Sequence, residues 1–133
     1  MKQSEDKEIN TFEDLYVYKL ARQMKNKTYD LIKKLPEEEK FNLISQMRRA
    51  ALSMTNNLAE GYGRYHYQEN IQYCRQCRGS IYELIDDFND CFDKGYIDES
   101  EQKELKSDAY NLLKVLNSYI SSQQRQKEKT KIP

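Results

Sequence analysis

Four stretches of the chain carry apolar residues at steps alternating between three and four, the spacing that gathers side chains on one face of a helix. The first bears Val17, Ala21, Met24, Thr28, Leu31 and Leu35; Thr11 with Asp14 forms a cap-like pair at its start, and Pro36 stops it. Glu37, Glu38, Glu39 and Lys40 read as a connector. Ile44, Met47, Ala51, Met54 and Leu58 then define a second helix ending at Gly61, and Gly61-Tyr62-Gly63 is the clearest break in the pattern. A third helix is predicted from about Tyr67 to Phe92 on the stripe Ile71, Cys74, Cys77, Ile81, Leu84, Phe88 and Cys91, with Gly95 placed for a left-handed C-terminal turn. The fourth starts at the pair Asp98 and Glu101 and buries Leu105, Ala109, Leu112, Leu116 and Tyr119. Short connections favour antiparallel neighbours, so the expected architecture is all-α: an up-and-down four-helix bundle over 11–122. Residues 1–10 are expected to be a disordered arm, and 123–133, which lack an apolar face, a basic flexible tail.

The second helix lacks a charged face. Between Leu43 and Glu60 its charged residues are Arg48, Arg49 and Glu60. At ~100° per residue, Gln46, Arg49, Ser53, Asn57 and Glu60 fall within an arc of roughly 80°, a hydrogen-bonding seam beside the apolar stripe. Ser45, Leu52, Thr55 and Ala59 form a third side of small or apolar residues. A monomeric bundle buries one stripe per helix, so the surplus points to a subunit interface; the alternative is an ordinary polar surface with unusually few lysines. Arg49 and Glu60 are roughly 16 Å apart along the axis at ~1.5 Å per residue, so they require partners on other helices or subunits.

Charge changes the picture locally, not globally. Lys plus Arg equals Asp plus Glu at 22 each, which leaves no overall field to hold the chain on a polyanion or a membrane. Acids dominate from Glu83 to Asp108, and the run from Glu83 to Asp93 is expected to form a solvated face rather than a metal site. Cations gather at Arg64, Arg75 and Arg78 and again at Arg125, Lys127 and Lys129; these six are the candidate nucleic-acid contacts. No stretch approaches the ~20 apolar residues of a membrane span, and the first residues lack an apolar signal region, so a cytoplasmic protein without membrane contact is expected.

Candidate chemistry is sparse. Cys74-Arg75-Gln76-Cys77 has the spacing of a zinc or redox motif, yet Cys91 and His66 are the sole further ligands of those types and the pair lies inside a helix, so the thiols are expected to be core residues. Gly61-Tyr62-Gly63-Arg64-Tyr65-His66-Tyr67 mixes aromatics with a cation, as a single-strand contact would, although the tyrosines would equally pack over the bundle end. Gly79-Ser80 inside a helix suggests a close helix approach. One histidine and no nucleophile with a base beside it predict no catalytic residue, no metal, no cofactor and no small-molecule substrate.

Several of these residues carry a resemblance. Gln46-Met47-Arg48-Arg49-Ala50, Ser53 and Asn57-Leu58-Ala59-Glu60-Gly61, with Phe12-Glu13-Asp14-Leu15-Tyr16-Val17-Tyr18 and Gly79-Ser80-Ile81-Tyr82-Glu83, resemble the bacterial 23S ribosomal RNA intervening-sequence proteins, also called the S23 ribosomal protein family. The similarity covers most of 11–122, and Leu58 stands where the family pattern has Ile. The resemblance implies an up-and-down bundle assembling as a homopentamer, with no established enzymatic activity. The chain is also similar to the accessory protein of diversity-generating retroelements, a pentamer that binds nucleic acid and a reverse transcriptase through a strongly basic surface. The expected function is therefore a non-catalytic oligomeric adaptor for RNA, DNA or a nucleic-acid-processing protein; the alternative is a structural oligomer that binds protein alone.

Overall fold

The computed structural model describes residues 8–130, so most of the expected N-terminal arm and the last three tail residues lie outside the described residues. Among the described residues there are four α-helices and no strand: α1 (Tyr16–Ile32), α2 (Leu43–Gly63), α3 (Tyr67–Asp93) and α4 (Glu99–Thr130). Two short 3-10 turns, Phe12–Asp14 and Glu37–Glu39, precede α1 and α2.

Cross-helix bonds fix the topology. Ser80 of α3 meets Ser53 of α2, Arg78 of α3 meets Asn117 of α4, and Lys34 beyond α1 pairs with Glu101 of α4. Asn70 near the start of α3 bonds Tyr119 and Gln123 late in α4, while Asn89 near its end meets Gln102. Rising numbers on one helix match falling numbers on its neighbour, so consecutive helices run antiparallel and α1 closes against α4, as the short connections predicted. The core is a single cluster that includes the fully buried Met47, Met54, Leu58, Ile71, Ile81, Leu84, Phe88, Leu112 and Leu116.

Both expected caps form, one of them displaced. Asp98 Oδ1 accepts from the Glu101 N–H at 2.8 Å and Glu101 Oε1 accepts from the Asp98 N–H at 3.4 Å, closing a reciprocal box at the start of α4. Thr11 and Asp14 make the same box around the 3-10 turn, and extended Leu15, buried in the core, separates that turn from α1. At its other end α1 stops at Ile32, although Leu35 stays buried in the turn that follows.

Three expectations are corrected. Gly61 does not end α2: the helix runs through Gly63, because Gly61 is a packing position where a Cβ would lie 2.6 Å from Asn70 Oδ1 and 2.9 Å from Tyr73 Cβ. The chain reverses instead at Tyr65, whose φ of 54° is left-handed. Gly79 is not a close approach; it is exposed, with nothing within 4 Å of a built Cβ, and its neighbour Ser80 faces inward. Finally, 123–130, expected as a tail beyond the bundle, continue α4 as helix to Thr130. Asn70 bonds Gln123 and Lys127 bonds Gln68, so these turns lie along the start of α3, and Gln, Arg, Lys and Glu propagate a helix well.

Candidate functional site

The polar seam of α2 lies along its boundary with α3. Ser80 donates to Ser53 Oγ at 2.9 Å, and Asn57 Nδ2 donates to Ser53 Oγ at 2.8 Å and to the Ser53 carbonyl at 2.9 Å. Ser53 and Asn57 are half-buried, whereas Gln46, Arg49 and Glu60 are exposed. Glu60 finds its partner on its own chain, one turn on: Arg64, at 3.0 Å. This corrects the expectation that its partner must come from another helix or subunit. Of the third side, Thr55 is buried, Ser45 and Ala59 are half-buried, and Leu52 is left 44% exposed.

The charge of Arg49 acts on Asp87 of α3, which the sequence placed on a solvated acidic face. Asp87 is only 4% exposed, and its Oδ2 has no hydrogen-bond partner among the described residues. Burial pushes its carboxyl up to about 7; Asp86, Asp90 and Glu83 push the same way, and Arg49 pulls it down. The misplacement has a simple origin, since an acidic run gives no sign of which member a neighbouring helix covers. A second buried acid hides in the supposed connector: Glu39 Oε2 accepts from Tyr96 at 2.6 Å and Lys94 at 2.9 Å, fastening the α1–α2 turn to the α3–α4 loop. The Tyr96 and Lys94 bonds hold that carboxyl below its ordinary range.

The six candidate cations do not form one patch. Arg64 is tied to the α2–α3 edge by Glu60 and by Tyr73, whose hydroxyl accepts from Nη2 at 2.8 Å and whose ring lies 5.3 Å from the guanidinium carbon. Arg78 is tied to the α3–α4 edge through Asn117 at 2.9 Å, and Lys127 donates to Gln68. Arg75, Arg125 and Lys129 are exposed, and the last two share a helix face at i, i+4.

The thiols sit in the core. Cys74, Cys77 and Cys91 are buried and free of disulfides, and burial pushes Cys74 and Cys91 up to about 12 and Cys77 further. Among the described residues no three His, Cys, Asp or Glu side chains are placed to hold a metal ion. No helix of the described residues is long and apolar enough to cross a membrane.

The expected aromatic contact divides at the bundle end where α2 leads into α3. Tyr62 packs inward against Phe12, ring centroids 6.4 Å apart, while Tyr65 is 89% exposed and Tyr67 and His66 are exposed beside it. A cavity of about 500 Å³ opens there between these rings, Leu15 and Tyr119.

Residues 13–118 match the sequence profile of a family described as 23S rRNA-intervening sequence protein. Comparison with curated proteins gives no match. The matched span takes in the whole α2–α3 seam and stops before Arg125, Lys127 and Lys129.

Proposed function

The chain belongs to the 23S rRNA-intervening sequence protein family, and on that premise we propose that it is a non-catalytic homo-oligomeric adaptor, a pentamer, that binds a nucleic acid or nucleoprotein partner in the bacterial cytoplasm. The observation that carries the binding half is the helical extension of α4, in which exposed Arg125 and Lys129 stand one turn apart on a common face. One such pair is weak. Five copies in a ring act together, and linked contacts raise avidity by ~10²–10⁴ when geometry lets them engage at once. Assembly is supported by α2, where partly exposed Leu52 lies on an outward face whose cations are Arg48 and Arg49. The protein-only reading is favoured by the exposed Glu83, Asp86, Asp93, Glu99 and Glu104, which repel a polyanion approaching that side.

Light scattering on the purified chain tests assembly, with a monomer as the outcome that ends the proposal. Fluorescence anisotropy with a labelled structured RNA tests binding, which should weaken between ~50 and ~200 mM salt as counterion release predicts. Arg125→Ala with Lys129→Ala should reduce both affinity and its salt slope. No binding at ~50 mM salt selects the protein-only oligomer.

A further inference from the structure

The cavity at the α2–α3 end is used by nothing above, and its lining joins a buried polar residue to exposed rings. Its floor is polar and satisfied in a particular direction. Asn70, buried, donates through Nδ2 to Tyr119 Oη at 3.0 Å and to Gln123 Oε1 at 3.1 Å. Because Tyr119 and Gln123 both spend acceptors on Asn70, the Tyr119 hydroxyl proton and the Gln123 amide protons remain to be donated. The wall is apolar at Leu15, and the rim carries Tyr65, His66 and Tyr67.

Not every ring here is available. Tyr62 is packed on Phe12, and Tyr73 is covered by Arg64. Tyr65 and Tyr67 are exposed, and Tyr65 is held out by left-handed backbone, a conformation that an ordinary packing residue avoids. Arg64 precedes the rim in the chain and is engaged by Glu60 and Tyr73, and Lys127 bonds Gln68, one residue past Tyr67.

From this arrangement we infer that the cavity binds an unpaired base of a single-stranded nucleic acid, with the base stacked on Tyr65 or Tyr67 and its acceptor atoms turned to Tyr119 and Gln123. The volume falls within the ~300–1,000 Å³ range of small-ligand pockets, enough for a base and its sugar. The chemistry is complementary on each count. A base brings a π-face for the rim and carbonyl or ring-nitrogen acceptors for the floor, and its phosphates stay outside in water. This inference rests on the reading that the protein meets nucleic acid, but it makes a separate demand: the contact must involve a base, not the backbone alone.

The test uses the full chain and a single-stranded RNA carrying one 2-aminopurine, whose fluorescence is quenched on stacking, beside the anisotropy of the same strand. The expected result is quenching on binding. Tyr65→Gly with Tyr67→Ala, both exposed and so harmless to the core, should abolish the quench and weaken binding on the order of tenfold, the value of one lost base–aromatic stack. Tyr119→Phe, which keeps the ring and removes the donor, should weaken binding at unchanged helical content. The monophosphate of 2-aminopurine riboside distinguishes a free nucleotide from a strand; quenching by both still supports a base site. Binding seen by anisotropy with no quench, or with a quench that the tyrosine variant leaves intact, overturns the inference while leaving the adaptor reading in place. Absence of both signals overturns both.

Discussion

Ser80 of α3 donates its hydroxyl to Ser53 of α2 at 2.9 Å, and Ser53 accepts from Asn57 as well, so two small residues hold the helices together through a polar bond where a core would place methyl groups. The size of Ser80 should therefore matter more than its hydroxyl. Ser80→Ala should cost about 1 kcal/mol, the net worth of one hydrogen bond. Ser80→Leu should cost about 1–3 kcal/mol by overpacking. Urea unfolding of the two variants checks the order; equal losses would mean that the hydroxyl alone matters.

Asp87 should make the protein less stable as pH rises. Its folded-state carboxyl is raised to about 7, against roughly 4 in an unfolded chain, so in that interval the folded state holds a proton that the unfolded state has released. Its contribution is present in full below the ordinary carboxylate range and is gone once pH has risen through about 7. The facing charges are Glu83, Asp86 and Asp90 on its own helix and Arg49 across the boundary. Glu39 acts in the opposite sense: its lowered carboxyl supports the fold above the ordinary range and loses that support as pH falls. Asp87→Asn should gain on the order of 1–3 kcal/mol at pH 8 and flatten the thermal stability between pH 5 and 8. A wild type whose melting temperature is level across that interval would contradict the assignment.

Four helices were legible because periodicity reports burial directly: Val17, Met47, Ile81 and Leu112 each fall on a predicted stripe and each is buried. What escaped was decided by the neighbour rather than by the segment. Gly61 and Gly79 look alike in the sequence, yet Asn70 and Tyr73 lie against one and nothing lies against the other. Glu39 reads as the end of an acidic run, and only the return of Lys94 and Tyr96 buries it. At the site, Ser53 and Asn57 could be grouped with Arg49 from helical angle alone, but that α3 supplies Ser80 and Asp87 opposite them required the topology. The helical tail was missed because a helix lying along one neighbour needs no full apolar stripe.

The thiols should be silent in the folded protein. Cys74, Cys77 and Cys91 are buried, and burial holds them protonated far above neutral pH. A chromogenic disulfide reagent at pH 8 should react with none of them natively and with all three in denaturant. Cys74→Ala with Cys77→Ala should lower stability without changing the oligomer. Stoichiometric zinc in the purified protein, or rapid native labelling, would contradict the core role.

Alanine at three glycines should give three different answers, because each position restricts the chain for a different reason. Gly79 is helical and exposed, and a Cβ there meets nothing, so Gly79→Ala should stabilise by roughly 0.5–1 kcal/mol. Gly95 also has open space, but its φ of 79° is left-handed; Gly95→Ala should cost roughly 1–2 kcal/mol from backbone alone. At Gly61 the backbone is ordinary helix and the cost is steric. The new methyl would press on Asn70 Oδ1 and Tyr73 Cβ, and Asn70 cannot give way without disturbing its bonds to Tyr119 and Gln123. Gly61→Ala should therefore cost about 1–3 kcal/mol, and among the three it alone should perturb the tyrosine fluorescence of the bundle end. Denaturation curves rank the three, and a stabilised Gly61→Ala would mean that α2 and α3 do not approach as closely as 2.6 Å implies.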